Sequence, residues 1–479
     1  MTARTQPSVR PDHPPTAAWR RLRDVALAPG DPGYDAARAP WNRAAEHHPA
    51  LVVPARDVAD VRAAVDHARA TGTGLGVLAT GHGTGRPCDG VLVTTGAMRD
   101  VRVDPSRRLA RVGAGARWTD VVGPAAAHGL AGLVGSSPHV GVVGYTLGGG
   151  FGWLGRRHGL AVHSVTRAEV VTADGRQRVA DREQHPDLFW GLLGSAGALG
   201  VVTALEFRLH PVAEVYAGNL YYPLDRTRVV LDTFRAWSGT VPDELTAAVT
   251  FRRFPAAPSV RLPLRGGSWV AVRGCWSGPL EDGRALVDRL RGQLGRPEVD
   301  TFGPIRAADL GTVSQDPVDP VPATNHSLLI RDLTPAVVDE LVRLAGPAAR
   351  SPLVMLELRQ LGGALAGPPG ALSPLAHTRA RFSLNAVGLT PDPELRGAVR
   401  RHLATLDAAL APHSTRDSYL NFLDLDGATA ARTRASFTDA DWQRLVELKA
   451  RYDPQNLFRF HRIPELADTP SPLQKAGRP

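Results

Sequence analysis

The sequence predicts an α+β chain of two domains, and three observations predict it. At 479 residues the chain exceeds what one ordinary core accommodates. Residues 18–214 read as short strands and helices mixed together, whereas residues 215–430 read as strands separated by amphipathic helices. A hydrophobic content of 43% with 22% charged residues is that of a globular enzyme, not of a disordered chain.

Residues 1–17 and 468–479 read as disordered tails, and Met1 to Pro15 is polar and proline-rich without an apolar signal core. Asp57 caps a helix in which Val58, Val61, Val65 and Ala68 recur at helical spacing until Gly72 ends it. The apolar run Leu75 to Ala79 reads as a buried strand, followed by short strands at Val91–Val93, Val101–Val103 and Leu109–Val112. Thr119 is expected to open the next helix, toward His128-Gly129, and this first pattern ends near Pro211. Beyond Val215 come strands at Trp269–Val272 and Leu353–Leu358 and a helix starting at Thr334-Pro335, with cap and N1 proline in preferred places. Leu395, Val399, Leu403, Leu406 and Leu410 line a further helix. Helices between strands imply a sheet covered on one face, its other face free to roof an active site. A closing helix carries Trp442, Leu445, Val446, Leu448 and Lys449, and no internal repeat is present.

The net charge of +9 and pI near 10.2 come almost wholly from scattered arginine, since Lys449 and Lys475 are the only lysines. That distribution lacks the stripe expected of a nucleic-acid partner, which we exclude. Two cysteines, Cys88 and Cys275, build no disulfide framework and are expected as reduced thiols in a cytoplasm. No run of about 18 apolar residues reads as a membrane span. His47, His48, His377 and His461 show no metal-ligand spacing, so no metal is expected.

Two segments carry the chemistry. Thr80, Gly81, His82, Gly83, Thr84 and Gly85 place one histidine inside a glycine turn directly after a strand. A second segment, Gly135 to Gly152, holds Ser136, Ser137, Pro138, His139, Val140, Gly141, Gly144, Tyr145, Leu147, Gly148, Gly149 and Gly150. Bare glycines let backbone N–H groups approach a diphosphate or a flat cofactor edge. A dinucleotide fingerprint of the Rossmann type is not supported, because the strand-turn-helix context and the later acidic residue are missing.

Together with these segments, Pro29 to Tyr34 with Arg38 and Trp41-Asn42, Glu169 to Gly175, Asp187 to Trp190, Gly200 to Thr203, Tyr419 to Phe422 and Tyr452 to Phe458 occur in order. This set resembles the berberine-bridge-enzyme-like branch of the vanillyl-alcohol-oxidase flavoproteins over about Pro29 to Phe460. The resemblance implies a PCMH-type FAD-binding domain at 18–214 and a substrate-binding domain of antiparallel sheet covered by helices at 215–430. It implies further that 431–467 returns to the FAD domain.

The resemblance also implies that His82 bonds covalently to the 8α-methyl of FAD; the alternative is a histidine merely hydrogen-bonded in its turn. The second anchor of some relatives is a cysteine where this chain has Ser137, so a single attachment is expected, with Cys88 a small core residue. The two glycine segments, with Gly200, Val201, Val202, Asn421 and Asn456, are the expected cofactor contacts. Leu193 to Gly200 departs from the family's Arg-Gly-Gly-Gly-Gly-Asn-Phe-Gly run. Val140, a small residue in the position linked to oxygen access, favours an oxidase; its other reading is packing beside Gly141.

The resemblance implies that Tyr419 is the base, its phenol depressed from about 10 by a nearby cation or the flavin; the alternative is a tyrosine that anchors a strand. Glu357 and Arg359, two apart on a strand, share a face and form either a cavity pair or a structural ion pair. With Asn421 these complete the candidate catalytic set. Asn385 stands near the glutamate base of the berberine bridge enzyme itself, a role an amide does not fill. The function implied is an FAD-dependent oxidase acting on an alcohol, amine or phenolic small molecule, a secondary-metabolite intermediate or a sugar, with O2 as acceptor. A dehydrogenase or a non-catalytic flavin-holding module is the alternative, in a monomer or homodimer.

Overall fold

A computed structural model describes residues 16–83, 85–258, 260–366, 373–375, 379–423 and 430–468. Thr84 therefore lies outside the described residues, as do 1–15 and 469–479 of the expected tails. Those tails were drawn slightly too long: the Thr16 hydroxyl caps the helix Ala17–Leu22, and Asp468 ends the helix Pro464–Asp468.

Three sheets make up the fold. Strands β1 (Leu51–Pro54), β2 (Leu75–Leu78) and β3 (Val91–Thr94) form a parallel sheet with β3 in the centre. Helix α1 (Val58–Thr71) joins β1 to β2, with the Asp57 carboxylate accepting from Asp60 N at 2.9 Å and Gly72 closing the helix. Its Val61, Ala64, Val65 and Ala68 are fully buried against that sheet, as a 3.6-residue period requires.

An antiparallel sheet follows in the order β4-β5-β8-β6-β7: β4 (Val101–Asp104), β5 (Leu109–Gly113), β6 (Val165–Val171), β7 (Gln177–Ala180) and β8 (Val201–Arg208). Between β5 and β6 run α2 (Trp118–Ala126), which begins one residue before the expected Thr119, and the short α3 (Val142–Leu147).

The third sheet has eight antiparallel strands: β9 (Glu214–Pro223), β10 (Leu245–Arg253), β11 (Ser268–Trp276), β12 (Val299–Asp300), β13 (Gly303–Arg306), β14 (Ala323–Ile330), β15 (Met355–Gln360) and β16 (Phe382–Leu389). The order is β12-β9-β11-β10-β15-β16-β14, with β13 also on β9. Alternation sorts its two faces. Leu356, Leu358, Val270, Val272, Leu384 and Ala386 pack on α4 (Thr227–Ser238), α5 (Leu280–Leu294), α6 (Pro335–Ala345) and α7 (Pro393–Leu410). Ala217, Ala248 and Cys275, from the opposite face, join the core that contains the β4–β8 sheet. One sheet face is thus covered by helices and the other meets the first half of the chain. The strand expected at Leu353–Leu358 lies two residues later, at Met355–Gln360.

The end of the chain returns to its beginning. On α8 (Asp439–Tyr452), Leu445 and Leu448 enter the core of the β4–β8 sheet, and Leu457 and Phe458 enter that of β1–β3. Lys449 is only 4% exposed and donates to Ala198 O, Asp453 Oδ2 and Phe458 O at 3.1, 2.6 and 2.8 Å. Asp453 in turn accepts from Leu457 N and Phe458 N. Among the described residues, no helix is long and apolar enough to cross a membrane.

Lys449→Met would leave the buried Asp453 carboxylate without its cation, which typically costs about 3–5 kcal/mol. A lowered urea midpoint is expected, partly restored by adding Asp453→Leu; an unchanged midpoint in Lys449→Met would show that this pair does not hold the return segment.

A second prediction concerns pH. His158 and His210, whose rings stand 4.2 Å apart, are both pushed down to about 4, foremost by burial and then by neighbouring positive groups. Folding keeps them neutral while the unfolded chain protonates them near 6.5, so their stability contribution is full above pH 6.5 and lost as pH falls through 4. Urea midpoints at pH 7.5, 6 and 5 should decline, and less steeply in His158→Gln; equal slopes in the two proteins would refute the assignment.

Candidate functional site

His82 follows β2 in a turn closed by the opening motif. Trp41 N and Asn42 N donate to Thr80 O and Gly81 O at 2.9 and 3.0 Å, and the Trp41 indole stacks on the His82 ring at 4.2 Å and 12°. A side chain at Gly81 would collide with Pro40. His82 Nδ1 lies 3.0 Å from Thr80 Oγ1, while Nε2 is buried with no partner among the described residues. Burial, aided by Arg117 and His139, lowers the imidazole to about 4, so the ring is neutral at pH 7. Gly83 stands beside the Arg462 guanidinium, and a Cβ at Gly85 would lie 3.1 Å from Phe460 O. Trp41 was missed as a site residue although its motif was visible, because stacking across 41 positions leaves no spacing signal.

The second segment lies alongside, with Gly141 N donating to Thr80 Oγ1 at 3.3 Å. The Ser136 hydroxyl accepts from Arg359 Nη2 at 3.0 Å, and that of Ser137, a buried residue, accepts from His139 N. Trp118 N donates to Val140 O, Tyr145 OH donates to Leu133 O, Leu147 is buried, and the space beyond Gly144 is open. A Cβ at Gly135 would lie 2.8 Å from the Tyr145 ring, and one at Gly152 would run into Val134 O.

Gly148, Gly149 and Gly150 were expected to offer free N–H groups, and the structure corrects this, the Gly148 N–H being turned to Thr146 O at the end of α3. Gly149 N donates to Thr146 O at 2.9 Å and Gly150 N to Asn421 Oδ1 at 3.0 Å. These glycines are needed for close approach. At Gly149, with φ +116°, a Cβ would stand 3.3 Å from Tyr419 Oη; at Gly150, with φ +75°, one would overlap Ala161 and Tyr145.

Asn421 is consumed structurally, since its Nδ2 also donates to Tyr145 O at 2.9 Å. It positions the glycine turn and has no donor or acceptor shown to be spare. Away from this group, Gly200 sits where a Cβ would meet Val170 and Val171 O, and Val201 and Val202 pair with Val171 and Val170 of β6. Asn456, at φ +52°, ends the turn whose neighbour Leu457 accepts at its carbonyl from Leu75 N.

Tyr419 precedes a short 3-10 turn, Leu420–Phe422, and belongs to no strand. Its ring meets Phe151 and Phe422 edge-on at 5.8 and 5.2 Å, and its hydroxyl is buried without a partner among the described residues. Contrary to the expected depression, burial pushes this phenol well above 10, Tyr145 adding to the rise and Arg359 opposing it. The protein by itself therefore holds Tyr419 neutral.

Glu357 and Arg359 do share a face, and they form a buried ion cluster. Arg359 Nε donates to Glu357 Oε1 at 2.8 Å, and Arg273 Nη1, from β11, to Oε2 at 3.0 Å. Burial pushes the Glu357 carboxyl up, but Arg359 and Arg273 outweigh it and hold it below the ordinary range. An anion so held is a weak base. The Arg359 guanidinium also lies 4.2 Å from the Trp153 ring centroid and 5.2 Å from that of Phe151. Asn385 is paired in register with Glu357. Arg273 escaped the sequence reading because its partner lies on a strand 84 residues away.

These residues fit FAD. The neutral imidazole with an unpartnered nitrogen, the unpartnered Tyr419 hydroxyl and the free Arg359 Nη1 all adjoin segment 135–152 through the contacts just given. Cys88 packs with Leu78, Leu92 and Phe460, and burial pushes its thiol up to about 12, as befits a core residue. Among the described residues, no group of three His, Cys, Asp or Glu is placed to hold a metal.

Comparison with known proteins agrees with this geometry. A family model described as an FAD binding domain matches residues 49–181, and one described as berberine and berberine like matches residues 418–462. The chain is 27% identical over 463 residues to (R)-6-hydroxynicotine oxidase of Paenarthrobacter nicotinovorans, covering 92% of this chain and 96% of that one. It is 24% identical over 430 residues to an FAD-linked oxidoreductase of Dictyostelium discoideum, covering 88% and 89%. In fold it resembles the berberine-bridge-enzyme-like protein 1 of Physcomitrella patens, with TM-score 0.79, 20% identity and coverage of 93% and 98%. It also resembles the xylooligosaccharide oxidase of Myceliophthora thermophila, with TM-score 0.78, 22% identity and the same coverage. The α+β architecture, the His82 turn beside the glycine segment and matches at both ends of the chain converge: this protein is an FAD-linked oxidoreductase, similar to the berberine-bridge-enzyme-like flavoproteins.

Proposed function

We propose that this oxidoreductase is an oxidase that holds FAD covalently through His82 alone and takes two electrons from an alcohol, amine or phenolic small molecule, passing them to O2 to give H2O2. The observation that carries the reading is His82: a neutral, stacked imidazole with one ring nitrogen unpartnered, beside a serine where a second anchor would need a thiol. When bound, FAD supplies the two-electron acceptor. Trp41 and Thr80 fix the imidazole plane, and the neutral ring keeps the lone pair that bond formation at the 8α carbon needs. Ser137 has no sulfur for a thioether. Relatives named as a 6-hydroxynicotine oxidase and a xylooligosaccharide oxidase support amine and alcohol substrates.

Tyr419 is the residue we assign to the substrate proton. Its hydroxyl, neutral and without a partner among the described residues, hydrogen-bonds a substrate oxygen or nitrogen; once it has lost its own proton to solvent, the phenolate accepts the substrate proton. Asn421 keeps it in place by tying the same turn to Gly150 and Tyr145. The dehydrogenase alternative keeps all these roles and changes only the acceptor. Val140, small beside Gly141, is the feature that favours oxygen.

Acid precipitation is expected to leave the yellow colour in the pellet, and His82→Ala to release it to the supernatant. Free flavin from the unsubstituted protein, or a flavin-bearing peptide containing Cys88, would end the single-attachment reading. Tyr419→Phe preserves packing, so the variant should stay yellow while flavin reduction by substrate slows by about 10²–10⁴-fold. A slowing of less than about threefold would remove Tyr419 from the role. Oxygen consumption matching substrate turnover is expected of the oxidase; turnover that needs an added dye instead would establish the dehydrogenase.

A further inference from the structure

The sheet face turned away from the helices carries charge that the fold does not use up. Antiparallel register places Arg273, Ala248, Arg359 and Ser383 in one row across β11, β10, β15 and β16, with Thr250, Glu357 and Asn385 in the next. Directly opposed residues of paired strands share a face, so these polar groups stand together, opposite the apolar face packed on α4–α7. Arg273 is 1% exposed, yet among the described residues only its Nη1 is engaged, with Glu357. Its Nε and Nη2 are buried with no partner among the described residues, as are Arg359 Nη1, Thr250 Oγ1 and Ser383 Oγ.

The charges do not balance either. Arg273 and Arg359 face a single carboxylate, Glu357. Arg252 adds a third guanidinium that interacts with Arg273 and Glu357, so positive charge is in excess beside Glu357. Leaving a buried guanidinium half-bonded is costly. Nε and Nη2 form the side-on fork of a guanidinium, two parallel N–H donors at the spacing of carboxylate oxygens. A hydroxyl would occupy one of them, and a neutral amide would leave the charge unanswered.

We propose that the substrate carries a carboxylate, seated side-on by the Nε–Nη2 fork of Arg273, with Glu357 and Arg359 holding that fork in position. Arg359 also bonds Ser136 of the glycine-rich segment, and its guanidinium lies over the Phe151 ring that Tyr419 meets edge-on. This assignment rests on the function proposed above, with the sheet face opposite α4–α7 as the roof of its active site.

The test is calorimetric titration of the yellow holoenzyme with benzoate and with benzamide, a carboxylate and its neutral isostere. Benzoate is expected to bind roughly tenfold or more tightly than benzamide, the margin of a charge-assisted bidentate pair. Arg273→Gln should bring the two ligands to within about threefold of each other, and Arg273→Lys, which keeps charge but not the fork, should fall between. Equal affinity or no binding of either ligand by the unsubstituted enzyme would overturn the proposal, as would a benzoate preference that survives Arg273→Gln. Should that variant not fold, the comparison in the unsubstituted enzyme and Arg273→Lys decides. Failure of the functional reading is visible separately: a colourless protein undoes the flavin assignment, whereas the carboxylate preference is measured by heat with or without flavin.

Discussion

Everything near the site depends on the close approach of Tyr419 and Asn421 to the turn at Gly148–Gly150. Asn421 takes the Gly150 N–H and the Tyr145 carbonyl, at 3.0 and 2.9 Å, and Tyr419 Oη lies 3.3 Å from where a Cβ on Gly149 would stand. Positive φ at Gly149 and Gly150, and the overlap a Cβ at Gly150 would make with Ala161 and Tyr145, leave the turn almost no choice of residue. The chain thereby stitches a segment past residue 415 to one before residue 150, and the sheet between them becomes a roof. Lys449 secures the far end of the same return by spending its three protons on Ala198, Asp453 and Phe458.

Burial then sets the protonation states. It lowers the His82 imidazole to about 4 and raises the Tyr419 phenol, leaving both neutral, while Arg359 and Arg273 keep Glu357 anionic against the same desolvation. The outcome in each case depends on whether a partner is present: desolvation wins where none is, and loses where two guanidiniums flank one carboxylate. Neutral groups therefore lie along the glycine segment, and a net positive charge lies on the facing sheet.

Much of this was legible in the primary structure. Asp57 and Gly72 mark the ends of α1 because capping is local chemistry, and Thr334-Pro335 marks α6 for the same reason. The strand-then-glycine pattern located His82, and Ser137 in the thiol position is visible without coordinates. What misled was also physical. Free N–H groups at Gly149 and Gly150 were a fair inference from composition, yet their partners lie next door at Thr146 and far away at Asn421. The depressed phenol was inferred from the need for a base, whereas Tyr419 meets two aromatic rings and a distant guanidinium.

The sequence by itself determined the periodicities, the caps, the glycine turns and hence the class of fold, because each depends on residues a few positions apart. Only the tertiary structure decided which side chains share a charge. Glu357 looks like a base on its strand and becomes a bound counter-ion once β11 brings Arg273 across β10. Trp41 looks like one more tryptophan and becomes the plate on which His82 lies. Electrostatic partnership and ring stacking act through space at a few ångströms, and spacing along the chain carries no record of such distances once strands from distant segments have paired.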